Sequence, residues 1–181
     1  SNSISLLNGF KVRNELGEDI TYKFSPKRKE LLILIIIYTL KEGGISSRKM
    51  SDILWPGFNP KSKKNNRSTQ IKEIRKIFEN QLAIEINFID KKWLLSKAES
   101  VHIDLFQLNE IIPGFMTSHT SNTSNPQALT DFSSIVKKGP LLPHLELEWL
   151  DKIKTDYNNA VLDILTPYLE NSQHIPKSIL S

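Results

Sequence analysis

The sequence predicts an α+β domain followed by an all-helical region. Three observations carry that prediction. Apolar and polar residues alternate at a period of two within residues 4–24 and again within 83–96, which marks strands at both ends of the first half. Between them lie three segments with helical apolar spacing, each bounded by capping or breaking residues. From residue 101 onward the spacing is helical.

Ile4, Leu6, Phe10 and Val12 read as strand residues, residues 14–19 as a turn, and Ile20, Tyr22 and Phe24 as a further strand, giving a small antiparallel sheet. Ser25-Pro26 opens the first helix with a cap and a proline at its first position. That helix runs to about Lys41 and stops at Gly43-Gly44. It is apolar on nearly every side from Leu31 to Ile37, the mark of a helix buried all round. A second helix covers Ser47 to Leu54 and ends at Trp55-Pro56-Gly57. The third runs from about Ser62 to Asn80, with Ile71, Ile74, Ile77 and Phe78 as its inner stripe. A hairpin over 83–96 turns at Asp90-Lys91-Lys92, and Trp55 and Trp93 are expected as core anchors. In the second half, helices are expected over 104–112, 127–137 and 146–170, the last kinked or shortened by Pro167. Residues 117–126 read as a polar loop, Gly139-Pro140-Leu141-Leu142-Pro143 as a turn with apolar anchors, and Ile175 onward as the start of another helix.

Composition excludes several functions. With no cysteine there is no disulfide, thiolate metal site or cysteine nucleophile. The four histidines have no metal-ligand spacing, and the seven glycines form no phosphate-cradling loop. His102 and Asp104 read as helix capping rather than catalysis. No catalytic, cofactor or metal site is expected. The longest apolar run falls well short of the roughly 20 residues of a membrane span. Ser1-Asn2 reads as a tag remnant, which is compatible with a chain cut from a longer protein. Charge is divided along the chain. Residues 45–97 carry 12 basic and 5 acidic side chains, whereas 98–181 carry 5 basic and 10 acidic. A basic half joined to an acidic half implies two surfaces with different partners, the basic one suited to a polyanion.

The third helix is where chemistry concentrates. From Lys61 to Gln70 it contains no apolar residue. The DNA major groove accepts one α-helix, whose side chains must offer donors and acceptors to base edges. Asn65, Asn66, Arg67, Thr69 and Gln70 are residues of that kind, while Lys61, Lys63, Lys64, Lys72 and Lys76 supply charge for phosphates. Asn65, Asn66, Ser68 and Thr69 are poor helix formers that a purely structural helix would not need. Lys91 and Lys92 add charge at the hairpin tip. A solvated polar face is the plain alternative, but a helix-turn-helix before it and a hairpin after it favour nucleic acid.

These ordered features resemble the winged-helix DNA-binding domain of OmpR/PhoB-type regulators, in the version followed by a bacterial transcriptional activator domain, as in antibiotic regulatory proteins. The resemblance rests on Leu6 to Val12, Ser25-Pro26-Lys27, Ile45-Ser46, Ile53-Leu54-Trp55-Pro56, Asn65 with Ile71, Ile74-Arg75 and Phe78, and Trp93 in the hairpin. In the second half it rests on Ile103-Asp104-Leu105-Phe106, Gly139-Pro140-Leu141-Leu142-Pro143 and Glu148-Trp149-Leu150. It implies a winged helix over 1–98 and a shortened, tetratricopeptide-like helical domain over 99–181. It implies a cytoplasmic regulator whose third helix enters the major groove and whose hairpin wing lies on the adjacent groove. Asn66, Thr69 and Glu73 would face bases; Gln70, Lys72 and Arg75 would face phosphates. Arg48 and Lys49 stand where many relatives are acidic. Double-stranded DNA is the implied partner, RNA polymerase a contact of the loop before the third helix, and homodimeric or tandem binding the family habit. The competing expectation is a protein-interaction module built from the same winged helix and helical scaffold, without specific DNA binding.

Overall fold

A computed structural model describes residues 2–117 and 125–169. The expected polar loop falls largely, and the expected terminal helix wholly, outside the described residues. Six α-helices and two small sheets are described, grouped in two compact units. The first unit is residues 1–4 with 11–102; the second is 5–10 with 103–181.

The chain opens with strand β1 (Ser3–Ser5), and β2 (Lys11–Arg13) follows in the first unit. Ile20 donates its amide to the Val12 carbonyl beside an Arg13–Asp19 bridge, but Tyr22 and Phe24 do not continue the strand as their alternation suggested. Thr21–Lys23 is instead a 3-10 turn, with Ile20 and Phe24 buried and Tyr22 79% exposed. Local side-chain bonds decide the matter: Asp19 accepts the Thr21 amide, and the Thr21 hydroxyl accepts the Val12 amide, claiming groups that a strand ladder would have used.

Helix α1 (Pro26–Glu42) starts on the Ser25 cap and ends at Gly43 in the left-handed conformation. All seven residues from Leu31 to Ile37 have no exposed surface. Helix α2 (Ser47–Leu54) is capped by Ser46 and buries Met50 and Leu54, with Trp55 buried just beyond it. Helix α3 (Pro60–Phe78) begins two residues earlier than its composition suggested. Asn59 accepts the Ser62 amide at 2.8 Å and Pro60 takes the first helical position, the same device as Ser25-Pro26.

The hairpin consists of β3 (Ile84–Ile89) and β4 (Lys92–Lys97), in register from Ile84 opposite Lys97 to Ile89 opposite Lys92. Asp90 and Lys91 both have positive φ, so the connection is a two-residue turn of the type that matches strand twist. Trp93 pairs with Ile45 through both backbone bonds, at 2.9 and 2.7 Å. A Cβ on Gly44 would lie 2.7 Å from the Trp93 carbonyl oxygen, so this close approach requires glycine. Strand β5 (His102–Ile103), too short to read from the sequence, joins β1 and completes the order β2-β1-β5.

The second unit contains α4 (Asp104–Ile111), α5 (Pro126–Val136) and α6 (Glu148–Leu169). Phe115 makes edge contacts with Phe132 and Tyr157 in its core. Pro167 lies inside α6, whose described residues run to Leu169, so the proline does not end the helix at its own position.

Residues 5–10, which the alternation assigned to the N-terminal sheet, are clasped inside this second unit. The buried Asp104 carboxylate accepts the Leu6 and Leu7 amides on one oxygen, at 2.9 and 2.8 Å, and the Leu105 amide on the other. From another side, Leu142 donates to the Leu6 carbonyl and Asn8 to the Pro140 carbonyl. Asp104 is therefore an acceptor for remote backbone, not the simple helix cap expected. Burial pushes its carboxyl above the usual carboxylate range, opposed by the three amides and by Lys138. Replacing Asp104 with Asn would set an NH2 donor against a backbone N–H whichever way the amide turns. We expect Asp104→Asn to cost about 2–3 kcal/mol in urea unfolding; an unchanged midpoint would show that the clasp does not need the carboxylate.

Candidate nucleic-acid interface

Helix α3 has two sides of different chemistry. Arg67, Ile71, Ile74 and Phe78 recur at helical spacing, and the last three are buried. Asn65, Thr69, Lys72 and Lys76 recur on the opposite side and are exposed. Lys61, Lys64, Ser68 and Arg75 are exposed beside them. Among the described residues, no side-chain hydrogen bond or ion pair engages Lys61, Lys64, Asn65, Thr69 or Lys72.

Because the first half of α3 has no apolar side chain to bury, polar bonds seat it. Arg67 donates to the hydroxyl of buried Ser51 on α2 at 2.8 Å, and Gln70 accepts from Arg28 on α1 at 3.2 Å. Lys63 pairs with Asp52 at 2.7 Å, which holds the Asp52 carboxyl below its usual range. Arg48 approaches the same carboxylate at 3.9 Å with its side chain 93% exposed. Asn66 is half-buried and donates back to the Ser62 carbonyl, and Glu73 is half-buried beside Lys76 at 3.6 Å. Relative to the expectation of Asn66, Thr69 and Glu73 as the outward set, the exposed stripe is turned toward Asn65.

The hairpin is tied to the helices from two directions. The Arg75 guanidinium donates to the Ile86 carbonyl at 2.6 and 3.2 Å and lies over the Trp93 ring, 5.6 Å from its centre. Trp93 in turn donates its indole N–H to Ser47 at the start of α2. Arg75 and Arg67, expected as DNA contacts, thus each carry an internal bond. Lys92 reaches back to the Glu42 carbonyl at 2.8 Å, whereas Lys91 is exposed at the tip with no bonded partner among the described residues. Sequence reasoning missed Arg28, Ser47 and Ser51 as supports, since each is an ordinary polar residue until its partner is known. It also passed over Phe88 and Ile89, both about half exposed next to the turn.

Charge at the helix starts sets the two units apart. Helices α1, α2 and α3 have no acidic residue in the first turn. They carry Lys27, Arg28 and Lys29, then Arg48 and Lys49, then Lys61 and Lys63, near their N-termini. In the second unit, α4 opens with Asp104 and α6 with Glu148 and Asp151, while the first turn of α5 has neither an acidic nor a basic residue. Positive side chains at a helix N-terminus oppose the dipole by about 0.3–1 kcal/mol each. The first unit therefore concentrates positive potential where backbone N–H groups also point outward.

Comparison with solved structures finds a likeness to Mycobacterium tuberculosis EmbR, determined in complex with a low-affinity phosphopeptide, with a TM-score of 0.59 and 13% sequence identity. The match covers 93% of this chain and 49% of that one, so this chain spans about half of EmbR's length. The likeness shows a shared mixed α/β fold. No family model matches the sequence, and no curated protein does either. No described helix is long and apolar enough to cross a membrane.

The tip lysine generates a prediction. Lys91 has φ of 64°, a conformation that costs a non-glycine residue about 1 kcal/mol and for which glycine is the usual choice. Lys91→Gly should raise unfolding stability by about 0.5–1 kcal/mol, read as a higher thermal midpoint. A lower midpoint would remove the strain assigned to this turn.

Proposed function

We propose that this chain is a bacterial transcription regulator that binds double-stranded DNA sequence-specifically. In this reading residues 1–98 are a winged helix, with α3 in the major groove and the β3–β4 hairpin on the adjacent groove. Residues 99–181 are a tetratricopeptide-like activator domain that meets a protein partner, RNA polymerase or a second subunit. The observation that carries the reading is the exposed α3 stripe of Asn65, Thr69, Lys72 and Lys76, which offers a base-reading amide and hydroxyl followed by phosphate-binding charge. The three acid-free, basic helix starts support it, because a bound polyanion would offset the repulsion they build in. The fold shared with EmbR agrees with the family resemblance of the sequence.

Selection from randomised duplex DNA at near-physiological salt tests the reading. An enriched motif should emerge, and Asn65→Ala or Thr69→Ala should weaken binding to it by about 1–3 kcal/mol and relax preference at one position. Binding without any enriched motif, unaltered by both substitutions, would overturn specific recognition and favour an acidic protein as the partner. Lys72→Ala should act differently. It should weaken all sequences alike and reduce the slope of log affinity against log salt by about one.

A further inference from the structure

The hairpin extends past the core that supports it. Along the core-side face of β3, Ile84 is 7% exposed and Ile86 2%, but Phe88 is 51% exposed. Ile89, on the opposite face because strand side chains alternate, is also 51% exposed. The ribbon therefore ends in large apolar side chains on both faces, next to a turn that carries Lys91. A tip of that kind cannot be covered by one flat partner. It suits a narrow cleft with charged walls.

We propose that this tip is a wedge: Phe88 and Ile89 enter the minor groove of bound duplex DNA and unstack a base step, while Lys91 meets a flanking phosphate. The inference rests on the DNA-binding reading above and adds to it a deformation of the DNA and a source of specificity apart from α3. Apolar side chains between base steps, flanked by positive charge, are the general means by which proteins kink a duplex at the minor groove. The wedge is held in advance. Phe88 packs on Trp93 with ring centres 4.8 Å apart, Trp93 is fixed by its bond to Ser47, and Arg75 holds the Ile86 carbonyl on the adjoining strand. A preorganised aromatic loses little freedom on insertion. Asp90 shares the turn with Lys91 and Glu42 pairs with Lys49, but Lys92 beside the turn and Arg48 at the start of the helix to which Trp93 is bonded add positive charge, which fits a phosphate-walled groove. Pyrimidine–purine steps unstack most readily, so TA or CA/TG should recur beneath the wing at a fixed distance from the segment read by α3.

The test uses the full chain on duplexes recovered by selection. Bending is read by energy transfer between end labels, and unstacking by 2-aminopurine fluorescence at the TA or CA/TG step. Wild type should bend the duplex by roughly 20–90° and brighten the 2-aminopurine. Ile89→Asn, on the face away from the Trp93 stack, should abolish the brightening and weaken binding roughly tenfold, with the motif read by α3 retained. Phe88→Asn should do the same, and Phe88→Leu should keep the bend, which separates the wedge from any loss of hairpin packing. Specific binding by wild type without bend or brightening, or both signals unchanged in Ile89→Asn and Phe88→Asn, would overturn the wedge and leave DNA recognition standing. Absence of any duplex binding by wild type would overturn the underlying reading and the wedge with it.

Discussion

The first unit is organised around a helix that cannot face water on any side. Leu31 to Ile37 of α1 are fully buried, and each large side chain so removed from water contributes roughly 1.5–3 kcal/mol. Such a helix needs cover all round, and α2, α3 and β4 supply it. Several local details follow. Thr39, at the end of the apolar run, donates to the Ile35 carbonyl and accepts the Leu95 amide, so a side chain on the helix joins the hairpin backbone. Gly44 lets the chain leaving α1 lie against Trp93 at a distance that excludes a Cβ. The hairpin is in this sense a wall of the core whose far end is left over, and that surplus is the exposed tip.

Helix α3 meets this demand with only half its length. Its second half buries Ile71, Ile74 and Phe78, but its first half covers nothing apolar and is seated by Arg67 on Ser51, Lys63 on Asp52 and Gln70 on Arg28. The two arginine bonds are partly shielded from water, and hydrogen bonds to charged groups in such settings contribute about 1.5–3 kcal/mol, enough to hold a helix of poor formers in place, whereas the exposed Lys63–Asp52 pair adds little. Positions 65, 69 and 72 are thereby relieved of structural work. A rigid helix with an unencumbered polar face is what base reading requires, since docking cannot spend energy on ordering the reader.

The second unit solves a different problem with a buried charge. Asp104 gathers three backbone amides around one carboxylate, and Leu6 and Leu7 fill the core beside α4. Its negative charge has a consequence in the same core. The Tyr157 hydroxyl is buried without a hydrogen-bond partner among the described residues, and burial, reinforced by Asp104, pushes its phenol well above the usual range. The ring packs edge-on against Phe115 in this core.

Helix positions, caps and the hairpin were legible in the sequence, because they depend on nearest neighbours along the chain. Ser25-Pro26, Gly43 and the apolar stripes of α1 and α3 need no distant partner to declare themselves. The basic, apolar-free stretch 61–70 was equally legible as a candidate surface, since charge and hydrogen-bonding type belong to the residues. What depended on distant partners was not legible. The alternation at Ile20–Phe24 suggested a strand until Asp19 and the Thr21 hydroxyl took its backbone groups. Arg67 and Arg75 read as DNA contacts, and the internal bonds each makes to Ser51 and to the Ile86 carbonyl, at sequence separations of 16 and 11, were not legible. Asp104 looked like a cap until it met amides at separations of 98 and 97. The sequence by itself determined where helices and charge would lie; tertiary structure decided which polar groups are occupied and which face outward, because a hydrogen bond needs a partner in space and one chain order permits many.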